Sequence, residues 1–171
     1  MVIDILNFIL RFVLIVFFQV VIINNIDIST YVNPYIYVAL ILSLPYNTKP
    51  WLVVVLSFIL GMTMDTFSSL PGPHIAATVL LGYFRRFYIV FSTNKDDQDT
   101  KIEPSIGSKG PLGFILYASV LVFIHHFLLF FLEAFTFNQF FGTLTRIFFS
   151  SLFTIFLITI GQLLFYKIAK K

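Results

Sequence analysis

The sequence predicts an all-α, polytopic membrane protein in which about six transmembrane helices form a single bundle. Of its 171 residues, 58% are hydrophobic and 11% are charged, and the mean hydropathy is +0.95. A soluble domain of this size cannot hide so much apolar surface, so lipid must be the solvent for much of the chain. The apolar residues also fall into separate stretches, with basic residues in alternate gaps. We therefore interpret residues 1–171 as one integral membrane domain.

Three apolar stretches are long enough to cross a bilayer, which takes roughly 20 residues. They cover residues 6–23, 112–132 and 144–166. No small-residue cleavage site follows the first stretch, so we expect it to remain as a helix rather than to be removed as a signal peptide. Prolines divide the region between the first two stretches into shorter pieces. The short central helices are predicted at residues 31–46, 51–65 and 74–91.

The basic residues predict the orientation of the bundle. Nine of the 11 Lys and Arg residues lie at alternate segment ends, at the C-terminus and in a polar loop predicted at 92–111. The intervening connections, at residues 24–33, 65–73 and 133–143, contain no Lys or Arg. Because cytoplasmic loops carry the Lys/Arg excess, we expect both termini and the polar loop on the cytoplasmic side.

Several ionisable residues are predicted near the outer face, including Asp65, His74, Glu133 and Arg146. An unpaired guanidinium at this depth would be costly, so we expect either Asp65 or Glu133 to pair with Arg146. Most polar groups of this kind hold neighbouring helices together. A direct functional role is the alternative interpretation.

Three further arginines are assigned to the membrane interface. Arg11 has Asp4 two turns away on a similar helix face, so we expect a local pair or a side chain that extends to the headgroups. Arg85 and Arg86 lie beside Tyr83 and other aromatic residues, a composition typical of an interfacial belt. We assign Arg11 no role beyond anchoring.

The sequence gives no support for a metal site, a cofactor or catalysis. Without Cys, a thiolate site is impossible. Adjacent helical residues such as His125 and His126 point about 100° apart, so we expect them to form hydrogen bonds within the bundle. No nucleophile elbow, HExxH helix, phosphate-binding loop or paired-carboxylate site is present. We therefore expect a protein that is not an enzyme, and the scattered basic residues do not indicate nucleic-acid binding.

The most distinctive stretch lies between residues 61 and 86. Gly61 permits close helix approach, and Asp65 can accept hydrogen bonds where its helix ends. Gly72, between two prolines, forms a rigid turn before a helix that begins near His74. An ordinary interhelical hairpin has these same features.

The pattern G-x-x-x-D-x-F, followed by G-x-H-x-A-A and then by L-G-Y-F-R-R, resembles the bacterial rod shape-determining protein MreD family. Chain length, basic inner loops and the expected six spans are similar as well, whereas the Pro-Gly-Pro turn departs from the flexible turn expected there. The resemblance implies a non-enzymatic scaffold of the cell-elongation complex in the bacterial cytoplasmic membrane. It also implies direct binding to MreC, and a wider complex with MreB, RodA and a penicillin-binding transpeptidase that supports peptidoglycan synthesis.

On this interpretation the bundle receives a partner's transmembrane helix. We expect the partner contact, or a structural polar cluster, near a set of five residues. These are Gly61, Asp65, Gly72, His74 and Arg146.

The main alternative is the substrate-binding membrane component of an energy-coupling-factor vitamin transporter, which is also small and six-spanning. It would need an enclosed outer cavity, and no ligand-specific motif favours it. The candidate lining residues are Asp65, His74, His125, His126 and Glu133. A membrane enzyme or an ion channel ranks last, because the chain has neither a catalytic constellation nor a polar pore-lining stripe.

Overall fold

The computed structural model describes residues 2–26, 29–135 and 139–169. Within these ranges the chain is helical apart from its connections and one central segment, so the all-α prediction is confirmed. The elements are α1 (Val2–Phe17), α2 (Ala39–Leu42), α3 (Pro50–Asp65), α4 (Pro73–Ser92), α5 (Lys95–Gln98), α6 (Ile106–Ala134) and α7 (Phe140–Ala169).

Four helices are long and apolar enough to cross a membrane. They are Ile5–Asn25, Pro73–Ser92, Ile106–Ala134 and Phe140–Leu164. The first reaches this length because α1 continues through a π-turn, Phe18–Ile22, and a 3₁₀ turn, Ile23–Asn25. Helix α3 has 16 residues and is about 24 Å long, shorter than a hydrocarbon layer of about 30 Å. The chain is a polytopic membrane protein, as its composition predicted.

The helix predicted at residues 31–46 is wrong in conformation. We call residues 29–46 the central segment. It contains only a 3₁₀ turn, Ile36–Val38, and the single-turn α2. The prolines that bracket it, Pro34 and Pro45, leave too few residues for a spanning helix. Yet the middle of the central segment is deeply buried, since Tyr37, Val38, Leu40, Ile41 and Leu42 are all at most 3% exposed.

The predicted polar loop at 92–111 is shorter than expected. Helix α5 occupies part of it, and α6 already begins at Ile106, where Ser105 and Ser108 form a reciprocal capping box. Gly110, with φ 72° and ψ 163°, kinks α6 before Pro111. Both residues are helix breakers in sequence, but a left-handed glycine lets the helix change direction and continue.

Helices α3 and α4 form a tightly packed hairpin. A Cβ atom at Gly61 would lie 2.6 Å from the Cα of Ile75, and one at Gly82 would overlap the Oγ of Ser57. Glycine at these two positions therefore lets the two backbones approach closely. Gly61 permits close packing, as predicted, and that packing lies inside the hairpin.

The bundle has two ends, which we name after an arginine at each. The Arg146 end holds the α3–α4 turn, residues 66–72, and the start of the central segment. The Arg85 end holds the end of the central segment and the loop at 99–105, where the Tyr46 amide donates to the Ile102 carbonyl at 3.0 Å.

Candidate functional site: a polar core and a cavity

The backbone of the central segment is satisfied by side chains from neighbouring helices. Gln19, which is fully buried, accepts from the amides of Ile36 and Tyr37 at 2.7 and 3.3 Å and donates to the Pro34 carbonyl at 3.0 Å. Non-helical backbone at membrane depth is tolerated only where protein groups pair with it. Gln19 therefore holds the point at which the central segment turns from extended to helical.

Helix α7 supports the extended part of the same segment. Ser150 Oγ accepts from the Asn33 amide at 2.9 Å, and Thr154 Oγ1 accepts from the Tyr35 amide at 3.0 Å. The two hydroxyl residues are four apart and share one helix face. In an extended chain the amides of residues two apart point in the same direction, so the Asn33 and Tyr35 amides both point at this face of α7.

Arg85 satisfies the other end of the central segment. Only 2% exposed, it donates to the carbonyls of Leu44 and Pro45, and its Nε donates to the Tyr117 hydroxyl at 3.1 Å. That hydroxyl in turn donates to the Leu42 carbonyl at 2.8 Å. No carboxylate pairs with Arg85 among the described side chains, so backbone carbonyls supply the negative potential around its charge.

This arrangement corrects the assignment of Arg85 to the membrane interface. Arg86 is exposed, as an interfacial residue should be, and it lies near the exposed Tyr83. Adjacent helical residues point about 100° apart, and only Arg85 faces the central segment. The sequence showed two neighbouring arginines without showing which of them the fold would bury.

Three buried histidines are joined by hydrogen bonds, and His126 fixes the direction of these bonds. Its Nδ1 lies 3.0 Å from the Val122 carbonyl and its Nε2 lies 3.1 Å from Thr154 Oγ1. A carbonyl only accepts, so the proton of neutral His126 is on Nδ1 and its Nε2 accepts from the Thr154 hydroxyl. The Nδ1 of His125 lies 3.3 Å from the same proton-bearing nitrogen, so His125 accepts there and carries its own proton on Nε2.

The chain continues through Tyr37 to His74. The Tyr37 hydroxyl lies 2.8 Å from both His125 Nε2 and His74 Nδ1. It accepts from His125 and donates to His74, which leaves the His74 proton on Nε2. Hydrogen bonding by His125 and His126 within the bundle is thereby confirmed. No cluster of three His, Asp or Glu side chains suited to a metal ion occurs in the part of the chain that the structure describes.

Asp65 joins the two helices of the hairpin. Its Oδ1 and Oδ2 accept from the amides of His74 and Ile75, both at 3.1 Å, and the residue is 7% exposed. A carboxylate at these amides satisfies donors at the start of α4 and complements its dipole. Gly61, Asp65 and His74 thus face the interior, while Gly72, with φ +112°, forms the turn. A partner contact at these residues stays a prediction.

Arg146 pairs with Glu133, which confirms one of its two predicted partners. The Nη1 to Oε2 distance is 3.1 Å, and the side chains are 31% and 21% exposed. The guanidinium also lies 4.2 Å from the centre of the Phe130 ring. With its amide oxygen facing the guanidinium, Asn33 accepts from Nε at 2.9 Å and from Nη2 at 3.2 Å. Asp65, the other predicted partner, is used in the hairpin instead.

A cavity of about 440 Å³ opens beside this pair. Its polar lining comes mainly from Asn24, Asn33, Ser69, His74, Glu133 and Arg146. Of the five residues predicted to line an outer cavity, His74 and Glu133 do so. Asp65, His125 and His126 do not line the cavity, because their side chains form hydrogen bonds between helices.

A second cavity, of about 380 Å³, lies at the Arg85 end between the start of α1 and the polar loop. Arg11 lines it and pairs with Glu103 at 2.8 Å, across an exposed surface. A local pair with Asp4 was one of the two expectations for Arg11, and the Asp4 side chain lies outside the described residues. The polar loop brings Glu103 to Arg11.

The residues that sequence reasoning missed are mostly uncharged. Gln19 lies in an apolar run, and Ser150 and Thr154 lie four apart in another, so each carried a weak signal. What the sequence did not show is the irregular backbone that these side chains hold.

The chain matches no protein-family model, no curated protein and no solved structure.

Proposed function

We propose that this protein is a non-enzymatic scaffold of the bacterial cell-elongation complex, in the cytoplasmic membrane with both termini in the cytoplasm. On this proposal it binds MreC directly. MreB, RodA and a penicillin-binding transpeptidase belong to the wider complex that supports peptidoglycan synthesis. The proposal rests on the resemblance of about residues 57–86 to the MreD family.

The observation that best supports it is that the residues that carry the resemblance contact one another in the α3–α4 hairpin. Gly61 touches the start of α4, and Asp65 caps that start through the amides of His74 and Ile75. A carboxylate at membrane depth is expensive, so its use as a cap rigidifies the α3–α4 hairpin at some cost. Rigid helix pairs are what a scaffold needs to present a fixed surface.

On the outside of this hairpin, α3 has an exposed face. Its large apolar residues are 42–62% exposed and recur at helical spacing. They are Trp51, Val55, Phe58, Ile59 and Met62. Because the predicted contact residues point inward, we place the MreC helix on this adjoining face.

Because the chain has no Cys, cross-linking can test this placement. An Ile59→Cys variant should form a cross-link to a cysteine in the transmembrane helix of MreC. Leu116→Cys, on an exposed face of α6, is the matched control and should not. Equal cross-linking at both positions, or at neither, would reject α3 as the docking face.

The function itself is tested by depleting the protein in its native bacterium. We expect rod-shaped cells to become round, together with copurification of MreC in the undepleted strain. Unchanged cell shape after full depletion would contradict the scaffold.

The cavity beside Arg146 favours a second candidate, the substrate-binding component of an energy-coupling-factor vitamin transporter. Such a component requires a pocket of small-molecule size, and about 440 Å³ is within the usual range. A vitamin retained through purification, with impaired vitamin uptake and normal cell shape on depletion, would favour this candidate over the scaffold.

A further inference from the structure

The described residues that line the cavity at the Arg146 end carry one charge of each sign and still have unused hydrogen-bonding capacity. The cation is Arg146 and the anion is Glu133. Three of the five guanidinium N–H groups are directed at Glu133 and Asn33. No described side chain is directed at the other two N–H groups, one on each terminal nitrogen.

His74 supplies a further donor. The hydrogen-bond chain through Tyr37 places its proton on Nε2, and no partner for that nitrogen occurs among the described residues. His74 lines the cavity although it is only 4% exposed. Because His74 lines the cavity and the described residues offer this nitrogen no acceptor, it is suited to an acceptor that enters the cavity.

Glu133 supplies the complementary acceptor. One of its oxygens faces Arg146, and the Tyr35 hydroxyl lies beside the carboxylate. A carboxylate has about four acceptor positions, so capacity for another donor remains.

We propose that this cavity binds a zwitterionic group, with its acidic oxygens on Arg146 and His74 and its ammonium on Glu133. An anion alone would bring its charge against Glu133, and a cation alone would bring its charge against Arg146. A zwitterion leaves the cavity neutral and uses both sets of groups. The group can belong to a soluble molecule or to the phosphoethanolamine headgroup of a membrane lipid, because the chemistry is the same. The inference does not depend on the scaffold proposal, which cell shape and MreC cross-linking test separately.

Binding is measured by calorimetry on the full chain in detergent, after removal of lipid. The probes are the methyl ester of O-phosphoethanolamine, inorganic phosphate and ethanolamine. The ester is a phosphodiester with no net charge, like the lipid headgroup, and is called O-phosphoethanolamine below. We expect O-phosphoethanolamine to bind at least tenfold more tightly than either of its fragments. Failure of O-phosphoethanolamine to bind, with no phosphatidylethanolamine retained by the protein, would overturn the proposal, as would equal affinity for phosphate alone.

A Glu133→Gln variant separates recognition from folding. Without the carboxylate the cavity is cationic, so O-phosphoethanolamine should bind at least tenfold more weakly, while inorganic phosphate should bind more tightly than in the unmodified protein. An unfolded variant cannot gain phosphate affinity. If the fold survives and phosphate affinity does not rise, Glu133 is not the ammonium site and the proposal fails.

The matched control is Glu103→Gln, which removes the carboxylate of the exposed Arg11 pair at the opposite end. All three affinities should stay within twofold of the unmodified protein. A change as large as that of Glu133→Gln would show that the effect arises from charge in general rather than from this cavity.

Nanodiscs distinguish the two sources of the zwitterion. If the lipid headgroup is the occupant, phosphatidylethanolamine in a phosphatidylglycerol nanodisc should abolish binding of soluble O-phosphoethanolamine, and phosphatidylglycerol alone should not. If a soluble molecule is the occupant, both nanodiscs should bind O-phosphoethanolamine equally. Loss of binding in both nanodiscs would contradict a zwitterion site in the membrane-embedded protein.

Discussion

The fold stabilises the guanidinium charges of Arg85 and Arg146 at membrane depth by different means. Arg146 faces a carboxylate and an aromatic ring at the edge of a cavity. Arg85 is buried, and its partners are backbone carbonyls and the Tyr117 hydroxyl. The comparison shows that an intramembrane arginine needs polar oxygen atoms, which an ion pair or an irregular backbone can provide.

The two arrangements also differ in what they leave available. Arg85 is enclosed by the groups that it satisfies, so its removal should affect folding. Arg146 is partly exposed and keeps two N–H groups directed away from its partners, so its removal should affect binding more than folding. The expected effects below follow this order.

Arg85→Met should have the largest effect. It removes the donor that Arg85 supplies to the Leu44 carbonyl and the Tyr117 hydroxyl, whereas the Pro45 carbonyl still accepts from Thr48. We expect a loss of about 3 kcal/mol in the free energy of unfolding. Unfolding in mixed detergent, followed by circular dichroism, measures this loss. Arg86→Met, the exposed neighbour, is the control and should change stability by less than about 0.5 kcal/mol. Similar losses in both variants would contradict the burial of Arg85.

Tyr117→Phe should have the next largest effect. The variant keeps the ring but removes the hydroxyl that joins Arg85 Nε to the Leu42 carbonyl, and we expect a loss of about 1.5 kcal/mol. The same unfolding measurement applies, with exposed Tyr83→Phe as the control. If Tyr117→Phe is as stable as the unmodified protein, Arg85 holds the central segment without this hydroxyl.

Arg146→Gln should cost about 1 kcal/mol, because the Glu133 pair is partly open to the cavity and is weakened by that exposure. The exchange of both charges, Arg146→Glu with Glu133→Arg, should recover stability relative to Arg146→Glu alone. Without such recovery, the observed pairing would not contribute to stability.

Arg11→Gln should have the smallest effect. Its pair with Glu103 is exposed, at 57% and 40% for the two side chains, so we expect less than about 0.5 kcal/mol. The effect should fall further in high salt. A loss as large as that for Arg146→Gln would remove the distinction between the exposed and the cavity-facing ion pair.

Much of this fold follows from hydropathy. The long helices and the all-α class are readable because 20 or so consecutive apolar residues have few alternatives in a bilayer. Residues 31–46 are also largely apolar, yet their backbone is mostly irregular. Hydropathy reports where a segment lies and does not report how its amides are satisfied.

The site was only partly readable for the same reason. The Arg146 pair could be predicted because an isolated charge requires a partner, and Glu133 was one of two acidic candidates. Arg85 could not be assigned in the same way, because its partners are carbonyls, which every residue carries. Tyr37 likewise gave no signal, since its importance depends on its position between His74 and His125.

The central segment also has a consequence for biogenesis. Its backbone hydrogen-bond partners include Gln19 and Arg85. They also include Ser150 and Thr154, which are synthesised more than a hundred residues after it. On its own it would bring bare peptide groups into lipid, so it cannot enter the bilayer as an independent unit as α1 can. The central segment can therefore reach its final conformation only after most of α7 has been synthesised. Chains truncated before α7 should be degraded by membrane proteases.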